Sequence, residues 1–443
     1  METQEEISGQ ASLVLVAQVF REMGLWAVVR RYVTIEQKVR KHRPLDKVLD
    51  AFINILAGGL GIVEVNTRVR PDRAVQVAFG RKSCADQSSV SRTLNVCDDE
   101  NVAQMKRALS RILRQHGESC RHNYKRASLL LDVDLTGLVA GGQGEGVTKG
   151  YFAHQRNRRG RQLGRVVATP YDEIVEEQLY DGKKQLNESL VQLVTAAVHT
   201  LRVPENKHKR VILRLDGGAG DDASIEWMLS HGFSFITKVK NWNRARILSL
   251  SVKHWHQDTA VADRQIGWIT LPHKYSRTTC QVALRFHPQN PARASDWHYQ
   301  ALVLNLSPAQ VAQVCRSSSI YSAHSCAFLQ SIVHAYDLRD GALEIDNRSD
   351  KSGLGLSHRN KRSLPAQKML MLLCELAHNF IVWTHHQLAA ADPRLAHLGI
   401  KRTVRDLHHI PGYAFISDDS EVVKVTLQPN HPYADALLHA ISG

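Results

Sequence analysis

An apolar run interrupted by two aspartates is the feature that most constrains the fold of this chain of 443 residues. Residues 128–138 read SLLLDVDLTGL, the pattern of a buried strand with acids near its end. Further runs of this kind follow, separated by helical segments: strands at 164–170, 210–218 and 233–240, and helices at 190–201 and 222–229. Strands that alternate with helices predict an α/β domain with a mixed sheet.

The segment before this domain, residues 1–125, is predicted to be mostly helical. Residues 44–56 place apolar side chains at helical spacing, and their first residue is a proline, which suits the start of a helix. The glycines in 58–61 are interpreted as a helix stop and not a phosphate-binding loop, because no strand precedes them. The Ser-rich segment 83–94 predicts a short helix carrying Arg92, compatible with a DNA-docking helix or an ordinary surface helix.

Downstream of residue 240 the strand–helix alternation is interrupted. Residues 241–327 hold short β-like runs (IGWITL, CQVALRF, YQALVL), which we interpret as a β-rich insertion. Helical character returns from residue 328 and includes a strongly apolar helix at 365–389. A strand pair is predicted near 414–426.

The charge balance points to a polyanionic partner. Lys and Arg number 57 against 43 Asp and Glu, a formal net charge of +14, which favours nucleic acid over a basic enzyme with another substrate. The seven cysteines form no CxxC pair, which argues against a disulfide framework or a thiolate zinc site and favours a reducing cytoplasm. The 23 histidines include adjacent pairs at 385–386 and 408–409, but none has zinc-motif spacing.

Neither a secretion signal nor a membrane span is predicted. The N-terminal residues METQEEISGQ are acidic and polar, unlike a signal or transit peptide. The most apolar stretch, at 369–383, contains Glu375, His378 and Asn379, so we interpret it as a buried core helix.

Three acids are candidates for metal chemistry. Asp134 and Asp216 each end a predicted strand, and Glu344 shares one helical face with Arg348 and Lys351. Phosphodiester cleavage needs an activated water or hydroxyl and a stabilised leaving oxygen, which two divalent ions roughly 3.5–4 Å apart can provide. Hard cations such as Mg²⁺ prefer carboxylate oxygens. Each acid alone is usually a cap, a turn residue or a solvated ion pair, so only the combination indicates a nuclease.

Four strings around these acids resemble the bacterial insertion-sequence transposases of the DDE class: LLLDVDLTGL, EGVTKGYF, VILRLDGG and YDLRDGALEIDNRSDKSGLGL. The branch that this sequence resembles has a β-rich insertion between the second Asp and the Glu. The resemblance implies an RNase H-like catalytic domain, a DNA-binding N-terminal region, two Mg²⁺ or Mn²⁺ ions, and cutting and joining of transposon ends.

The resemblance places the three catalytic, metal-binding acids at Asp134, Asp216 and Glu344. Asp132 lies on the same strand face as Asp134, so strand alternation cannot choose between them, and the Asp-x-Thr setting favours Asp134. Tyr336, Arg339 and Lys351 match the Tyr, Arg and Lys that flank the glutamate in such enzymes.

One spacing departs from the commonest family pattern. The step from Arg339 to Glu344 is one residue longer, and we interpret Gly341 as a helix irregularity that absorbs it. This spacing leaves the role of Arg339 open.

Basic side chains near these acids are predicted to contact DNA phosphates. The predicted DNA-binding residues are Arg156, Arg158, Arg159, Arg161, Lys238, Lys240, Tyr336, Arg339, Arg348 and Lys351. Arg165 belongs to the same basic stretch, and Arg244 and Arg246 extend the cluster around Lys238. Trp242 lies within that cluster, where it would stack on an unpaired base or pack in the core.

Together these features predict five regions: an N-terminal helical DNA-binding region at 1–125, a catalytic core at 126–240, a β-rich insertion at 241–327, the second part of the core at 328–395, and a C-terminal region at 396–443. The expected partners are double-stranded DNA, as terminal inverted repeats and target, and a second copy of the chain in a synaptic homodimer, without a membrane. The expected location is the bacterial cytoplasm, on the nucleoid when DNA is bound. The alternative is a catalytically inactive, transposase-derived DNA-binding protein.

Overall fold

The computed structural model describes residues 3–152, 155, 157–287, 297–318, 322, 324–339 and 343–442, apart from the side chains of 343–346 and 442. Helices dominate its N-terminal part, which runs β1 (Thr3–Ser8), α1 (Ala11–Glu22), α2 (Leu25–Tyr32), α3 (Pro44–Leu56), α4 (Arg73–Ala78), α5 (Gln87–Val96) and α6 (Asp99–His116). The predicted helix at 44–56 is confirmed, with Pro44 in its first turn. Asp86 caps α5 by accepting a hydrogen bond from the Ser89 amide at 3.0 Å.

Strands and helices alternate in the next part, as predicted. The elements are β2 (Leu129–Val139), β3 (Thr148–Lys149), β4 (Arg159–Ala168), β5 (Glu173–Asp181), α7 (Leu186–Thr200), β6 (Val211–Leu215), α8 (Asp222–Ser230) and β7 (Ser234–Lys238). β2, β6 and β7 are parallel, whereas β4 runs antiparallel to both β2 and β5. The mixed sheet predicted from the sequence is therefore confirmed.

Strand β5 was not predicted, because its sequence EIVEEQLYD lacks an apolar run. Glu173 in this strand is nevertheless buried. Its carboxylate accepts hydrogen bonds from the amides of Glu118 and Ser119, at 2.8 and 3.0 Å, and from the Trp383 indole at 2.8 Å. A buried acid of this kind is stable in the sheet because its oxygens are satisfied by donors from elsewhere in the chain.

The remaining elements are α9 (Trp242–Ser249), β8 (His256–Gln257), β9 (Arg264–Trp268), β10 (Cys280–Phe286), β11 (His298–Leu304), α10 (Pro308–Val314), α11 (Cys326–Asp337), α12 (Leu343–Gly353), α13 (Leu364–Ala391), α14 (Ile400–Arg402), β12 (Gly412–Ser417), β13 (Val422–Leu427) and α15 (Ala434–Ser442). The predicted strand pair near 414–426 is confirmed as β12 and β13, which pair antiparallel. β1 adds to the other edge of β12, so the two ends of the chain share a three-stranded sheet.

The β-like segment 241–327 extends the central sheet and does not interrupt it. β11 pairs antiparallel with β7, with Leu302 opposite Lys238, and β10, β9 and β8 follow. The sheet order is β3-β4-β2-β6-β7-β11-β10-β9-β8, and β5 pairs with β4 along the same edge as β3, opposite β2. The segment also contains the helices α9 and α10, so "β-rich" describes only part of it.

Helix α13 forms the centre of the core. Its residues are buried around most of its circumference, and it packs against α6 and β5. Phe380 meets Phe20 of α1 edge-on, and Phe20 stacks on Phe52 of α3 with ring centroids 5.1 Å apart. The N-terminal helices and the sheet thus share one hydrophobic core. Among the described residues, no single helix is long and apolar enough to cross a membrane.

Candidate active site at two neighbouring parallel strands

Asp132 and Asp134, the two alternatives for the first catalytic acid, lie in different environments. Asp132 is fully buried and lies opposite Arg214 in the parallel β2–β6 ladder. Arg214 donates to both of its carboxylate oxygens, at 2.6 and 2.7 Å, and Thr169 donates to one of them at 2.5 Å. These partners occupy the Asp132 carboxylate, whereas Asp134, two residues on, is half-buried and lines an open cleft.

Asp134 and Asp216 lie side by side where β6 ends against β2, since the β2–β6 register ends with Val133 opposite Leu215 and each acid is the next residue along the chain. Asp216 directly follows β6, as predicted, but the prediction that Asp134 ends its strand is wrong, because β2 continues to Val139 through its pairing with β4. Both acids line the same cleft, which has a volume of about 1600 Å³. Because neighbouring strands in a sheet lie about 4.8 Å apart, the register places these two carboxylates within reach of a common ligand.

The chain turns sharply after Asp216. Its carboxylate accepts a hydrogen bond from the Gly218 amide at 2.7 Å and starts a short 3₁₀ turn. A Cβ at Gly220 would collide with the Lys238 carbonyl oxygen, so the glycines of the DGGAG sequence let β7 approach this turn closely. The turn thereby brings Lys238 to the cleft.

Apart from these two acids, the charged side chains described along the cleft are cationic. They are Lys149, Lys183, Lys184, Lys238, Lys240, Arg339, Arg348 and Lys351. Lys149, Lys183 and Lys184 were not predicted, because Lys149 of the string EGVTKGYF matches no basic position of the family's glutamate signature and Lys183 and Lys184 lie outside the four strings. This distribution makes the cleft suitable for a polyanion.

Predicted DNA-contacting residues lie close to the two acids. An Arg339 guanidinium nitrogen is 4.0 Å from an Asp134 oxygen. Lys238 Nζ lies 5.4 Å from the centre of the Tyr336 ring. Burial lowers the pKa of Lys351, and Arg165 lowers it further, whereas Asp134 raises it.

Glu344 falls on helix α12, but its side chain lies outside the described residues. Asn347, Arg348 and Lys351 of the same helix line the cleft. They follow Glu344 by three, four and seven residues, a spacing that puts all four positions on one helical face. Tyr336 and Arg339 belong to the end of α11 and the turn after it, and Gly341 lies outside the described residues.

The basic stretch 156–165 divides into exposed and buried residues. Arg158 and Arg159 are exposed, and Arg156 lies outside the described residues. Arg161 is buried, and its guanidinium donates to the carbonyl oxygens of Glu145 and Lys361 at 2.8 and 3.1 Å. The prediction that Arg161 contacts DNA is therefore wrong, because backbone acceptors hold this guanidinium inside the protein.

The expectation that Arg165, in the same stretch, contacts DNA is also wrong. Arg165 is also buried, and it donates to carboxylates on β5 and α12 instead of facing solvent. Alternation along β4 does not explain this outcome, because Arg159, Arg161 and Arg165 share one face of the strand. Arg161 and Arg165 are buried because the chain near Lys361 covers the first and β5 and α12 cover the second.

The tryptophan and histidine predictions have different outcomes. Trp242 is 68% exposed and lines the cleft, so it does not pack in the core. Lys240 is exposed too and donates to Gln185 at 2.9 Å. His385, His408 and His409 each contact a backbone carbonyl oxygen, consistent with the structural roles expected of the paired histidines.

The chemistry of the acids fits a hard divalent cation. Asp134 and Asp216 offer carboxylate oxygens, which Mg²⁺ and Mn²⁺ prefer. Among the side chains that the structure describes, which exclude that of Glu344, no group of three metal-binding residues occurs. The two aspartates are thus suitable as a partial ligand set that α12 would complete.

Comparison with known proteins identifies the family. The family described as "Transposase DDE domain group 1" matches residues 3–442. No curated protein sequence matches the chain. Among solved structures, the chain is similar to the piggyBac transposase in a cryo-EM synaptic complex with hairpin DNA, with 10% identity, a TM-score of 0.43, and coverage of 91% of this chain and 82% of that chain. Because the family match covers nearly the whole sequence, this protein belongs to the DDE-class transposases, in the group 1 DDE domain family.

Proposed function

We propose that this protein is an active DNA transposase that binds the ends of an insertion sequence, cleaves DNA strands in a metal-dependent reaction and joins them to a target. One observation carries the proposal. Asp134, in the middle of β2, and Asp216, directly after the end of the neighbouring parallel strand β6, lie inside a cleft whose other described charged side chains are cationic. A carboxylate pair is suited to a divalent metal, and the surrounding cations are suited to a phosphate backbone.

The roles of the individual residues follow from their positions. Asp134, Asp216 and Glu344 would hold two Mg²⁺ or Mn²⁺ ions, which when bound activate the attacking oxygen and stabilise the leaving one. Arg339 and Lys351, beside Asp134, would hold the phosphate under attack. Lys238, packed on Tyr336, would contact a neighbouring phosphate.

The strand arrangement supports an RNase H-like catalytic core. β5, β4 and β2 are antiparallel neighbours, and the parallel strands β6 and β7 follow β2. In this order the end of β6 meets the middle of β2, which places Asp216 beside Asp134. That geometry agrees with the organisation that the sequence resemblance implies.

A DNA track is proposed from the cleft outwards. Lys183, Lys184 and Lys240 extend the cationic lining away from Asp216, and exposed Arg158 and Arg159 lie at the start of β4. Arg348 is exposed on the cleft side of α12. Exposed Trp242 can stack on a base within this track, since aromatic side chains stack on unpaired bases of any sequence.

The N-terminal region offers a second DNA-docking surface. Ser88, Arg92 and Asn95 are exposed at i, i+4 and i+7 and so share the outer face of α5. Arg and Asn side chains on such a face can pair with guanine and adenine edges in the major groove. The exposed basic residues of loop 38–43 lie nearby, because Gln37 accepts hydrogen bonds from Lys47 and from Thr93 of α5, at 2.8 and 2.7 Å.

Purified protein and DNA carrying the element's ends test the proposal. The ends are identified as inverted repeats flanked by a short target duplication around the coding region. We expect end binding without metal, and strand cleavage and joining to a target plasmid only with Mg²⁺ or Mn²⁺. End binding with no cleavage under any metal condition would instead favour the inactive, transposase-derived DNA-binding protein. The stoichiometry of the complex on two ends tests the proposed synaptic homodimer.

A further inference from the structure

Behind the cleft, a buried group of charged side chains links β4 to helix α12. Arg165 is the cross-strand partner of Asp134 in the antiparallel β2–β4 ladder. Directly opposed residues in such a ladder project from the same face of the sheet. Asp134 reaches the cleft, whereas the Arg165 side chain is 1% exposed and lies beneath it.

Arg165 is bound by residues of two other elements. Its Nε donates to Glu177 of β5 at 2.6 Å, and its Nη1 donates to Asp350 at 2.6 Å and to Asn347 at 3.1 Å. Asn347 and Asp350 belong to α12, the helix that carries Glu344. Arg165, the cross-strand partner of Asp134, therefore binds α12, the helix that carries Glu344.

Asp350 is also held from the opposite side. His378 of α13 places Nδ1 3.0 and 3.1 Å from the two Asp350 oxygens, and its Nε2 lies 2.8 Å from the Asp172 carbonyl oxygen. Both ring nitrogens face acceptors, so an imidazolium that donates at both positions satisfies the geometry. Burial disfavours the Asp350 anion, but His378 and Arg165 hold the pKa of Asp350 below its ordinary value.

Two buried carboxylates, Glu177 and Asp350, stabilise the Arg165 guanidinium. Burial lowers the pKa of Arg165, yet Glu177 and Asp350 together raise it above its ordinary value. Burial raises the pKa of Glu177 against the attraction of Arg165, so Asp350 is the more secure carboxylate partner. Charge-assisted bonds of this kind, shielded from water, fix geometry more tightly than exposed ones.

We propose that Asp350 is a positioning residue: clamped between Arg165 and His378, it holds α12 so that the face bearing Glu344, Arg348 and Lys351 points at Asp134. The catalytic purpose of this positioning rests on the proposed function. The clamp, meaning the contacts of Asp350 with Arg165 and His378, is a property of the folded protein whatever its function. An ordinary buried ion pair would contribute stability without setting the position of α12 or the metal requirement.

The clamp is tested with Asp350→Asn, which keeps the side-chain shape but removes the charge that binds both cations. Glu173→Gln is the matched control, because Glu173 is another buried carboxylate that contacts α13, through Trp383, and lies away from the cleft. Hydrogen–deuterium exchange of the 343–353 amides reports on α12 directly. The metal requirement is measured as the Mg²⁺ concentration that gives half-maximal cleavage.

In Asp350→Asn we expect the α12 amides to exchange about tenfold faster or more, since the local opening energy falls. Strand cleavage should slow by about 100-fold, the effect of a small displacement of reacting groups, and the Mg²⁺ requirement should rise. End-DNA affinity should change by less than about twofold. Glu173→Gln should lower the melting temperature comparably but leave α12 exchange and the Mg²⁺ requirement at wild-type values.

Equal α12 exchange in the two variants would overturn the proposal. If Asp350→Asn does not fold, Asn347→Ala removes one neutral acceptor from Arg165 and should raise α12 exchange to a smaller extent, and an unchanged value again overturns the clamp. If wild-type protein binds ends but never cleaves, the proposed function fails while the exchange experiment still decides the clamp. If wild type cleaves and Asp350→Asn cleaves with an unchanged Mg²⁺ requirement, only the clamp fails.

Discussion

Asp132 and Arg214 face each other across the parallel β2–β6 pair and form a buried ion pair with two hydrogen bonds of 2.6 and 2.7 Å. Arg214 also donates to the Ala335 carbonyl oxygen of α11 at 2.9 Å, one residue before Tyr336. This arrangement assigns two acids of one strand, two residues apart, to different tasks. Asp132 supports the sheet and α11 from within, and Asp134 faces the cleft.

Substituting the two acids should therefore have opposite effects. Asp132→Asn removes one charge of a buried pair and should lower the free energy of unfolding by about 3–5 kcal/mol. Asp134→Asn should change that free energy by less than about 1 kcal/mol and abolish metal-dependent cleavage. Chemical denaturation and a cleavage assay on the same preparations measure both quantities. A stable, inactive Asp132→Asn protein beside an active Asp134→Asn protein would reverse the assignment.

The arginines at and just before the start of β4 should likewise differ, with buried Arg161 contributing to stability and exposed Arg158 and Arg159 contributing to DNA binding. Arg161→Gln removes a buried donor to three carbonyl oxygens, so it should lower the free energy of unfolding by about 1–3 kcal/mol. Arg158→Gln and Arg159→Gln should leave stability unchanged, and each lost phosphate contact should reduce the slope of log Kd against log salt by about 1. A wild-type salt slope in both exposed variants would remove these residues from the DNA track.

The sequence allowed the alternating strands and helices to be predicted, because apolar runs and helical periodicity are local signals. It could not separate Asp132 from Asp134 or Arg161 from Arg158, since burial depends on partners such as Arg214 and Lys361 that are distant in the chain. Strand β5 escaped prediction for the same reason. The extension of the sheet by β8–β11 depends on strand pairing with β7, which no local pattern encodes.

Trp242 offers a test of base stacking in the cleft. Because its side chain is exposed, Trp242→Ala should change the free energy of unfolding by no more than about 0.5 kcal/mol. Binding to end DNA with unpaired bases should weaken by about 1–3 kcal/mol for each base that loses its stacking partner. Ile247→Ala is the control, since Ile247 is equally exposed on α9 but does not line the cleft. Equal DNA affinities of the two variants would contradict a stacking role.

His408 predicts a pH dependence of stability. Burial lowers its pKa to about 4, even though its contact with the Leu56 carbonyl oxygen raises it. The unfolded chain binds a proton near pH 6.5 and the folded chain only near pH 4, so the histidine lowers stability as pH falls between these values. The slope from this residue should approach about 1.4 kcal/mol per pH unit.

That slope is measured by urea unfolding across the window. Subtracting the His408→Asn curve isolates the contribution of this residue, and His397→Asn, which replaces an exposed histidine, should retain the wild-type slope. Identical slopes for wild type and His408→Asn would show that His408 is not the group that titrates.

Single-turnover cleavage of end DNA by the acid variants tests the central claim most directly. Wild type is compared with Asp216→Asn and Glu344→Gln, at a protein concentration that saturates binding, with Mg²⁺ and with the metal removed by chelation. We predict that wild type cleaves only with metal, and that each variant binds the ends with wild-type affinity and cleaves at least about 1000-fold more slowly. Cleavage by both variants at the wild-type rate would contradict the assignment of these acids to the active site.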